Sequence, residues 1–202
     1  MRNFRYDFLI DCIPILQPKI IIEIGVATGK RSVQMIIAAM NYYQDVKFIG
    51  YDVFDTKDDE WHEKVGNGKE VYSKHKIHSI LSKITNNIEL IEGMTQETLW
   101  NSNIYSDLVF IDGDHRVKSI ENDFSSVQSS KVVVFDDYYF SGEHHGKKGK
   151  KTIDEYGCNL IVNKLPREEV LITPETIKFS NIRLAFWVKE KHLLEKIKLL
   201  LK

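Results

Sequence analysis

The sequence has little cysteine and almost no net charge. Among its 202 residues there are two cysteines, Cys12 and Cys158, and the 28 basic residues nearly balance the 29 acidic ones, giving a formal net charge of -1. The two cysteines are neither paired in a motif nor set at metal-ligand spacing, which suits a reducing compartment. The near-neutral charge argues against a long nucleic-acid footprint, because such a footprint requires a basic field.

The sequence also lacks segments that would direct or anchor it to a membrane. No apolar run approaches the roughly 20 residues that a membrane-spanning helix needs. The N-terminal stretch MRNFRYDFLIDC has no long apolar core and no small-residue cleavage site, so we expect no signal peptide. Hydrophobic residues make up 43% of the chain, a normal globular share, and we therefore expect a folded cytoplasmic protein.

Apolar, β-branched runs alternate with stretches of helical periodicity. Strands that are apolar throughout and separated by helices are typical of a parallel sheet covered on both faces, so we predict a doubly wound α/β fold. A short Ser-Asn turn separates the last two runs and predicts a hairpin, which gives a mostly parallel, Rossmann-like sheet of seven strands with an antiparallel last strand. The predicted strands are 20–25, 47–52, 88–93, 107–112, 131–136, 170–179 and 182–189, and the predicted helices include 69–84 and 115–129.

The length suits one domain with a real core, so residues 1–202 are interpreted as a single domain. A short helix is expected at 1–17 and an amphipathic helix at 190–202; the latter packs on the domain or on a second subunit, which leaves a homo-oligomer open. The polar segment 54–76 is long for a connection between two strands, and it is either a lid or a solvated surface insert.

The stretch EIGVATGK, residues 23–30, follows a predicted strand and opens a predicted helix. A phosphate-binding P-loop needs four residues between its glycines and Ser or Thr after the lysine, whereas three residues separate Gly25 from Gly29 and Arg31 follows Lys30. The dinucleotide fingerprint also fails, because alanine stands at position 27. A tight turn that binds nothing is one interpretation of the stretch.

The pattern Glu-x-Gly-x-x-x-Gly resembles motif I of the class I S-adenosylmethionine-dependent methyltransferases. The resemblance implies that the cofactor lies against Gly25, Thr28 and Gly29, with Glu23 near its amino-acid end. It also implies that residues just past the third strand lie near the adenine, and that the cofactor reaches the end of the fourth strand. These residues are Gly93, Met94 and Asp112.

Asp52 ends the second predicted strand in the sequence GYDVFD. At that position a carboxylate can accept hydrogen bonds from both hydroxyls of a ribose. Since NAD-binding folds place an acid similarly, Asp52 indicates a nucleoside without identifying which one.

Three aspartates end two strands that we expect to be neighbours. The fourth run ends in IDGDH and the fifth in FDDYY, so Asp112, Asp136 and Asp137 fall on one rim of the sheet. Three carboxylates brought together repel one another unless a cation neutralises them. Mg2+, or Mn2+ in its place, prefers carboxylate oxygens, and the set therefore predicts a metal site. The alternative is that one acid caps a helix while the others face water.

The stretches DLVFIDGDHRVKSIENDF and VVVFDDYYF resemble the branch of class I methyltransferases that includes the macrocin and novobiocin sugar O-methyltransferases. The resemblance runs from about residue 18 to 189 and implies that Asp112, Asp136 and Asp137 are metal ligands, with a further Asp at 123 in the following helix. The sequence departs from that branch in lacking a Gly-Gly turn before the fifth strand and an N-terminal extension, and the second departure bears on the acceptor site.

Two neighbouring residues are candidates for the catalytic base. The resemblance implies that the acid at Asp114 takes the proton of the acceptor. His115 is the alternative, because imidazole titrates near neutral pH. A third interpretation makes Asp114 the N-cap of the helix at 115–129.

The predicted function is methylation of a hydroxyl group on a small molecule by an S-adenosylmethionine- and Mg2+-dependent O-methyltransferase. Members of the resembled branch act on sugars or secondary metabolites, so a sugar or a sugar nucleotide is one candidate acceptor. Methylation of nucleic acid or protein and an NAD-dependent oxidoreductase are the alternatives. Methylation of nucleic acid is disfavoured because the sequence has no basic stripe. The glycine spacing disfavours the oxidoreductase.

Overall fold

The structure is a computed structural model that describes residues 4–57, 70–100, 102–141, 143–146, 149–178 and 181–201. Its helices are α1 (Tyr6–Leu16), α2 (Lys30–Met40), α3 (Lys74–Leu81), α4 (Thr95–Thr98), α5 (Val117–Val127), α6 (Asn159–Val162) and α7 (Lys191–Leu200). Its strands are β1 (Ile20–Ile24), β2 (Lys47–Asp52), β3 (Ile88–Glu92), β4 (Leu108–Ile111), β5 (Val132–Tyr139), β6 (Glu143–Gly146), β7 (Gly149–Thr152), β8 (Val170–Ile172) and β9 (Ile182–Val188).

Seven strands form one sheet in the order β3-β2-β1-β4-β5-β9-β8. β1 to β5 pair in parallel, and β9 lies antiparallel between β5 and β8. The predicted doubly wound sheet of seven strands with an antiparallel last strand is therefore confirmed. β8 is shorter than the predicted run 170–179, and β6 pairs with β7 in a separate hairpin.

Successive residues of the strands point to opposite faces of the sheet, and each face has its own apolar core. On one face Ile21 of β1 packs with Phe8 of α1 and Met35 of α2. On the other face Ile22 packs with Ile120 of α5. Because both faces are covered, the strands are apolar along their whole length, which is why they read as continuous apolar runs.

The strand order reverses around β1, which has β2 on one side and β4 on the other. At such a switch point the connections leave in opposite directions, and a crevice opens at the carboxyl ends of the strands. Gly25 follows β1 at this place with a φ of +92°. A Cβ there would stand 2.2 Å from the carbonyl oxygen of Asp112, so only glycine lets the two strand ends approach this closely.

Two predictions about peripheral segments are only partly covered by the structure. Of the segment 54–76, the described parts are a 3-10 turn at Phe54–Thr56 and the start of α3, while residues 58–69 lie outside the described residues. The predicted terminal helices correspond to α1 and α7. Within the described part of the chain, no helix is both long and apolar enough to cross a membrane.

Candidate active site

A cleft opens at the carboxyl ends of β1, β2 and β4, where the strand order reverses. It encloses about 810 Å3, counted out to its open mouth. Its lining includes Gly25, Ala27, Tyr51, Asp52, Gly93, Met94, Gln96, Asp112, Asp114, His115 and Asp123.

Asp52 organises one wall of this cleft. Its Oδ2 accepts hydrogen bonds from the N–H groups of Val26 (2.6 Å) and Ala27 (2.8 Å), and its Oδ1 accepts one from the N–H of Phe54 (2.7 Å). Ala27 has a φ of +51°, a conformation that an alanine rarely adopts, and the Asp52 carboxylate helps to hold it there. A carboxylate has about four acceptor sites, so Asp52 keeps capacity for a hydroxyl group of a ligand.

The other residues predicted at the cofactor divide into two groups. Gly25, Gly93, Met94 and Asp112 line the cleft as Asp52 does, whereas Glu23, Thr28 and Gly29 are not part of its lining.

Glu23 is buried beneath the glycine loop and accepts a hydrogen bond from the Ser32 hydroxyl. Burial raises the pKa of Glu23 well above its ordinary value. In this structure Glu23 connects the end of β1 to Ser32 of α2.

Gln96 lies at the far end of the cleft, three residues beyond Gly93. Its Nε2 donates to the Ser119 hydroxyl at 3.1 Å, while its Oε1 is buried and has no hydrogen-bond partner in the described part of the chain. A buried acceptor without a donor costs free energy until a ligand supplies one. Gln96 therefore holds an unsatisfied acceptor just beneath the surface of the cleft that it lines.

Asp123, the further aspartate of the resembled branch, also lines the cleft and is 1% exposed. Burial raises its pKa to about 6, although hydrogen bonds from Thr95 and Asn122 favour the charged form.

We expect Asp123→Asn to stabilise the protein at pH 8. The pKa is about 6 in the fold and near 3.9 in an unfolded chain, so the fold holds the proton more tightly and keeping the charge above pH 6 costs on the order of 3 kcal/mol. The gain should be full above pH 6, shrink between pH 6 and pH 4, and vanish below. Urea unfolding at pH 8 and pH 4 measures it, with Glu121→Gln, on the exposed side of α5, as the control. Equal gains at both pH values would contradict it.

Asp136 and Asp137 reach the rim together because β5 is irregular at this point. The pairing with β9 shifts between Phe135 and Tyr138, and Asp137 has a φ of +57°. In a regular strand two successive side chains point to opposite faces, whereas a bulge re-aims one of them. Asp is among the residues that tolerate this left-handed conformation.

The three aspartates of the rim are joined by two residues from the start of the chain. The guanidinium of Arg5 binds both oxygens of Asp136, with Nε 2.6 Å from Oδ1 and Nη2 2.8 Å from Oδ2, and Nη2 also lies 3.2 Å from Oδ1 of Asp137. The Tyr6 hydroxyl donates to Oδ2 of Asp136 at 2.7 Å and lies 3.4 Å from Oδ2 of Asp112. Burial alone would raise the pKa of Asp136, but Arg5 outweighs it and holds that pKa below its usual range.

His115 belongs to the same network. It is 5% exposed, with Nδ1 3.2 Å from Oδ2 of Asp137 and Nε2 3.8 Å from Oδ1 of Asp112. The Tyr139 hydroxyl donates to the same Asp137 oxygen at 2.8 Å. His115 therefore lies between two carboxylates and also lines the cleft.

Asp114 faces the cleft but is engaged by its own neighbours. Its Oδ2 accepts from the Ser119 hydroxyl (2.5 Å) and from Nε of Arg116 (2.7 Å), and its Oδ1 accepts from the Arg116 N–H (3.2 Å). These contacts lie at the start of α5, which begins at Val117. The third interpretation, with Asp114 as the N-cap, is wrong: Arg116 occupies the N-cap of α5, and among the residues that the structure describes no side chain caps the helix.

The rim as described does not fit the predicted divalent ion. Among the described residues, no three His, Cys, Asp or Glu side chains are arranged to hold a metal ion. The aspartates are brought close, as the sequence predicts, but both oxygens of Asp136 and Oδ1 of Asp137 accept from Arg5 or Tyr6. We therefore write no chemical step through a metal.

Sequence reasoning missed Arg5, Tyr6 and Gln96. Gln96 could have been found by following the loop beyond Gly93 and Met94. The pair Arg5 and Tyr6 had no comparable signal, because each is an ordinary residue at the start of a helix and its partners are more than 100 residues away.

The chain matches the family model described as a methyltransferase domain over residues 22–138. Comparison with curated proteins gives no match. The structure resembles a Klebsiella pneumoniae protein assigned as an O-methyltransferase, with a TM-score of 0.60 and 17% identity over 91% of this chain and 79% of that one. It also resembles the O-methyltransferase TomG of Streptomyces achromogenes, involved in tomaymycin synthesis, in complex with S-adenosylmethionine (TM-score 0.54, 16% identity, 91% of this chain and 79% of that one).

A Bacillus cereus O-methyltransferase in complex with S-adenosylhomocysteine is similar as well (TM-score 0.56, 12% identity, 90% of this chain and 80% of that one). At these identities the likeness establishes the fold. The family match covers more than half of the 202 residues, including the glycine loop, Asp52 and the aspartates of the rim. This chain is a member of the methyltransferase-domain family.

Proposed function

We propose that the chain is a single-domain cytoplasmic enzyme that transfers a methyl group from S-adenosylmethionine to a hydroxyl group of a small molecule. The observation that carries this is the shared cleft: the glycine loop and Asp52 on one side, Gln96 at one end, and His115 on the rim all line it. A ligand bound at the glycine loop and Asp52 would thus face the imidazole of His115, in a family whose members transfer methyl groups.

Three features support S-adenosylmethionine as the ligand. Gly25 lets the ends of β1 and β4 come together at the floor of the cleft, which it lines. The carboxylate of Asp52 has acceptor capacity left for a ribose hydroxyl, and Gln96, whose buried Oε1 lacks a donor, lines the cleft where the exocyclic amino group of adenine would supply one. The structures of TomG and of the Bacillus cereus enzyme contain S-adenosylmethionine and S-adenosylhomocysteine, respectively.

Between the two candidates for the base, the geometry favours His115. The carboxylate of Asp114 is held by Arg116 and Ser119, whereas His115 lies between Asp112 and Asp137. When imidazole takes the acceptor's proton it becomes a cation, and the two flanking carboxylates stabilise that cation. His115 would thus receive the proton that leaves the hydroxyl group as its oxygen forms a bond to the methyl carbon.

The bound cofactor supplies an electrophilic methyl group on a sulfonium, whose carbon–sulfur bond breaks with its electron pair going to sulfur. The protein's main contribution is to hold the hydroxyl oxygen in line with that bond, and such positioning can supply about 7–11 kcal/mol. Mg2+, predicted at Asp112, Asp136 and Asp137, has no role in this proposal, because Arg5 and Tyr6 engage those carboxylates.

We expect Asp52→Ala to weaken S-adenosylmethionine binding by at least about tenfold, because each hydrogen bond to a charged group contributes about 1.5–3 kcal/mol. The loss combines the ribose contacts with a looser glycine loop, since Asp52 also holds Val26 and Ala27. Titration calorimetry measures the affinity, and Asp55→Ala, an exposed acid three residues away, is the control. Equal affinities in the Asp52 variant and the wild type would refute the cofactor assignment.

The reaction itself is tested with a panel of acceptors. Purified protein is incubated with S-adenosylmethionine and sugar nucleotides, free sugars or catechols, and products are analysed by mass spectrometry for the gain of one methylene unit. A methylated hydroxyl supports the proposal and identifies the acceptor. Cofactor binding without a product from any small molecule, together with methylation of RNA or of a protein, would instead point to the alternative acceptor class.

A further inference from the structure

We propose that Arg5 is the cation of this active site: its guanidinium takes the place of a divalent ion, and the enzyme takes no metal at the aspartate rim. The catalytic role of Arg5 rests on the proposed function, whereas the exclusion of a metal from the rim does not depend on it. Three carboxylates end β4 and β5, and of these Asp136 is 2% exposed and Asp137 7% exposed. Carboxylates this deeply buried require a counter-charge.

The counter-charge is present and its geometry is specific. Arg5 contacts Asp136 side-on through two nitrogens, the arrangement in which a guanidinium matches a carboxylate best. The same Nη2 bridges to Asp137, and the Tyr6 hydroxyl extends the network toward Asp112. One guanidinium and one phenol therefore connect all three acids that the sequence assigned to a metal.

A metal ion and Arg5 exclude each other at this place. A divalent ion would need direct bonds of about 2.0–2.6 Å to carboxylate oxygens, and both oxygens of Asp136 and one of Asp137 now accept from Arg5. It would also stand within a few ångström of a guanidinium, and two cations in a buried site repel strongly. The Arg5 side chain is only 11% exposed, so moving it aside to admit an ion would also require the side chains packed around it to rearrange.

A second arginine adds to the positive field. The guanidinium of Arg31, at the start of α2, lies 4.0 Å from the centroid of the Tyr6 ring, and that of Arg5 lies 4.5 Å from it. The phenol ring thus has two cations close to it while its hydroxyl donates to Asp136. Burial, together with the neighbouring carboxylates, raises the pKa of Tyr6 well above its ordinary value, so the hydroxyl keeps its proton and remains a donor.

Asp137 connects this cation to the proposed base. Its Oδ1 faces Arg5 and its Oδ2 faces Nδ1 of His115. Arg5 is therefore a positioning residue: it fixes the carboxylate that orients the imidazole and neutralises charge that a metal would otherwise neutralise. The enzyme is then an O-methyltransferase whose base, and not a metal-bound oxygen, activates the acceptor.

The test is Mn2+ binding to the purified full-length protein, measured by titration calorimetry and by the electron paramagnetic resonance signal of free Mn2+, without cofactor or acceptor. Wild type, Arg5→Ala, Arg5→Lys and Asp136→Asn are compared, and Arg167→Ala, which removes an exposed arginine, is the matched control. If the wild type binds any Mn2+, we expect that binding to be the same in Asp136→Asn, because none of it involves the aspartate rim. Arg5→Ala should gain a site at least about tenfold tighter than any in the wild type, because it uncovers carboxylate ligands. Arg5→Lys, which keeps the charge, should not gain one.

Methyl transfer by the wild type, once an acceptor is found, should be unchanged in excess chelator. Wild-type Mn2+ binding that Asp136→Asn abolishes would overturn the inference, and so would loss of activity in chelator that Mn2+ restores. The wild-type measurement does not depend on whether the Arg5 variants fold. If no acceptor is ever methylated, the proposed function fails while the binding data still decide the role of Arg5.

Discussion

Replacing His115 by glutamine is expected to lower kcat by at least about a hundredfold, while the affinity for S-adenosylmethionine changes by less than about threefold. General-base catalysis by a positioned side chain contributes about 10²–10⁴-fold, and glutamine retains hydrogen-bonding capacity but cannot take a proton. Steady-state kinetics at saturating acceptor measures the loss.

The companion variant is Asp114→Asn. Because the Asp114 carboxylate is engaged by Arg116 and Ser119 at the start of α5, the change should cost less than about tenfold in kcat, well below the contribution of a general base. Thermal unfolding of both variants separates loss of fold from loss of chemistry. If Asp114→Asn were inactive while His115→Gln turned over normally, the base would be Asp114, as the resemblance to the sugar O-methyltransferases implies.

Arg5→Ala is expected to reduce the free energy of unfolding at pH 7 by about 3–5 kcal/mol, the usual cost of removing one partner from a buried ion pair. The variant leaves Asp136 charged and buried. Of its two partners from the start of the chain, Arg5 and Tyr6, it then keeps the Tyr6 hydroxyl alone. Urea unfolding followed by circular dichroism measures the change. Arg167→Ala, at an exposed arginine, should change stability by no more than about 0.5 kcal/mol.

The sign of the pH dependence follows from Asp136. Arg5 holds the pKa of this carboxyl below its unfolded value, so the stabilisation is present above about pH 4 and is lost as the pH falls toward the folded pKa. Arg5→Ala should therefore lose most at pH 7 and converge with the wild type in acid. The double variant Arg5→Met, Asp136→Asn should regain part of the loss, because no unpaired charge then stays buried. A single-variant loss below about 1 kcal/mol would show that Arg5 does not neutralise this site.

The fold could be predicted because its signal is repeated along the whole chain. Each parallel strand lies between two covered faces and is therefore apolar at every position, as in the runs that became β1 and β4. The glycine loop could be predicted for a different reason. A positive φ at Gly25 and a carbonyl 2.2 Å from its missing Cβ are demands that only one residue type meets, so the sequence carries them as a motif.

The chemistry of the rim could be predicted only in part. Strand ends indicated that Asp112, Asp136 and Asp137 would be close, and repulsion among them indicated a cation. Which cation they bind depends on Arg5, which stands 131 residues before Asp136 and follows no periodic pattern. Similarly, Asp114 and His115 are adjacent in sequence, and only the path of the chain into α5 determines which one reaches the aspartates.

The antiparallel strand β9 has a consequence for how the protein is made. It is the last strand in the sequence, yet it lies inside the sheet, between β5 and β8. Until residues 182–188 leave the ribosome, β5 is an edge strand, and its run Val132–Phe135 offers unpaired backbone groups beside four apolar side chains that are buried in the finished sheet. A nascent chain that stops short of β9 therefore exposes an aggregation-prone edge next to the aspartates of the active site. Pairing of β9 with β5 covers that edge once the C-terminal segment has been made.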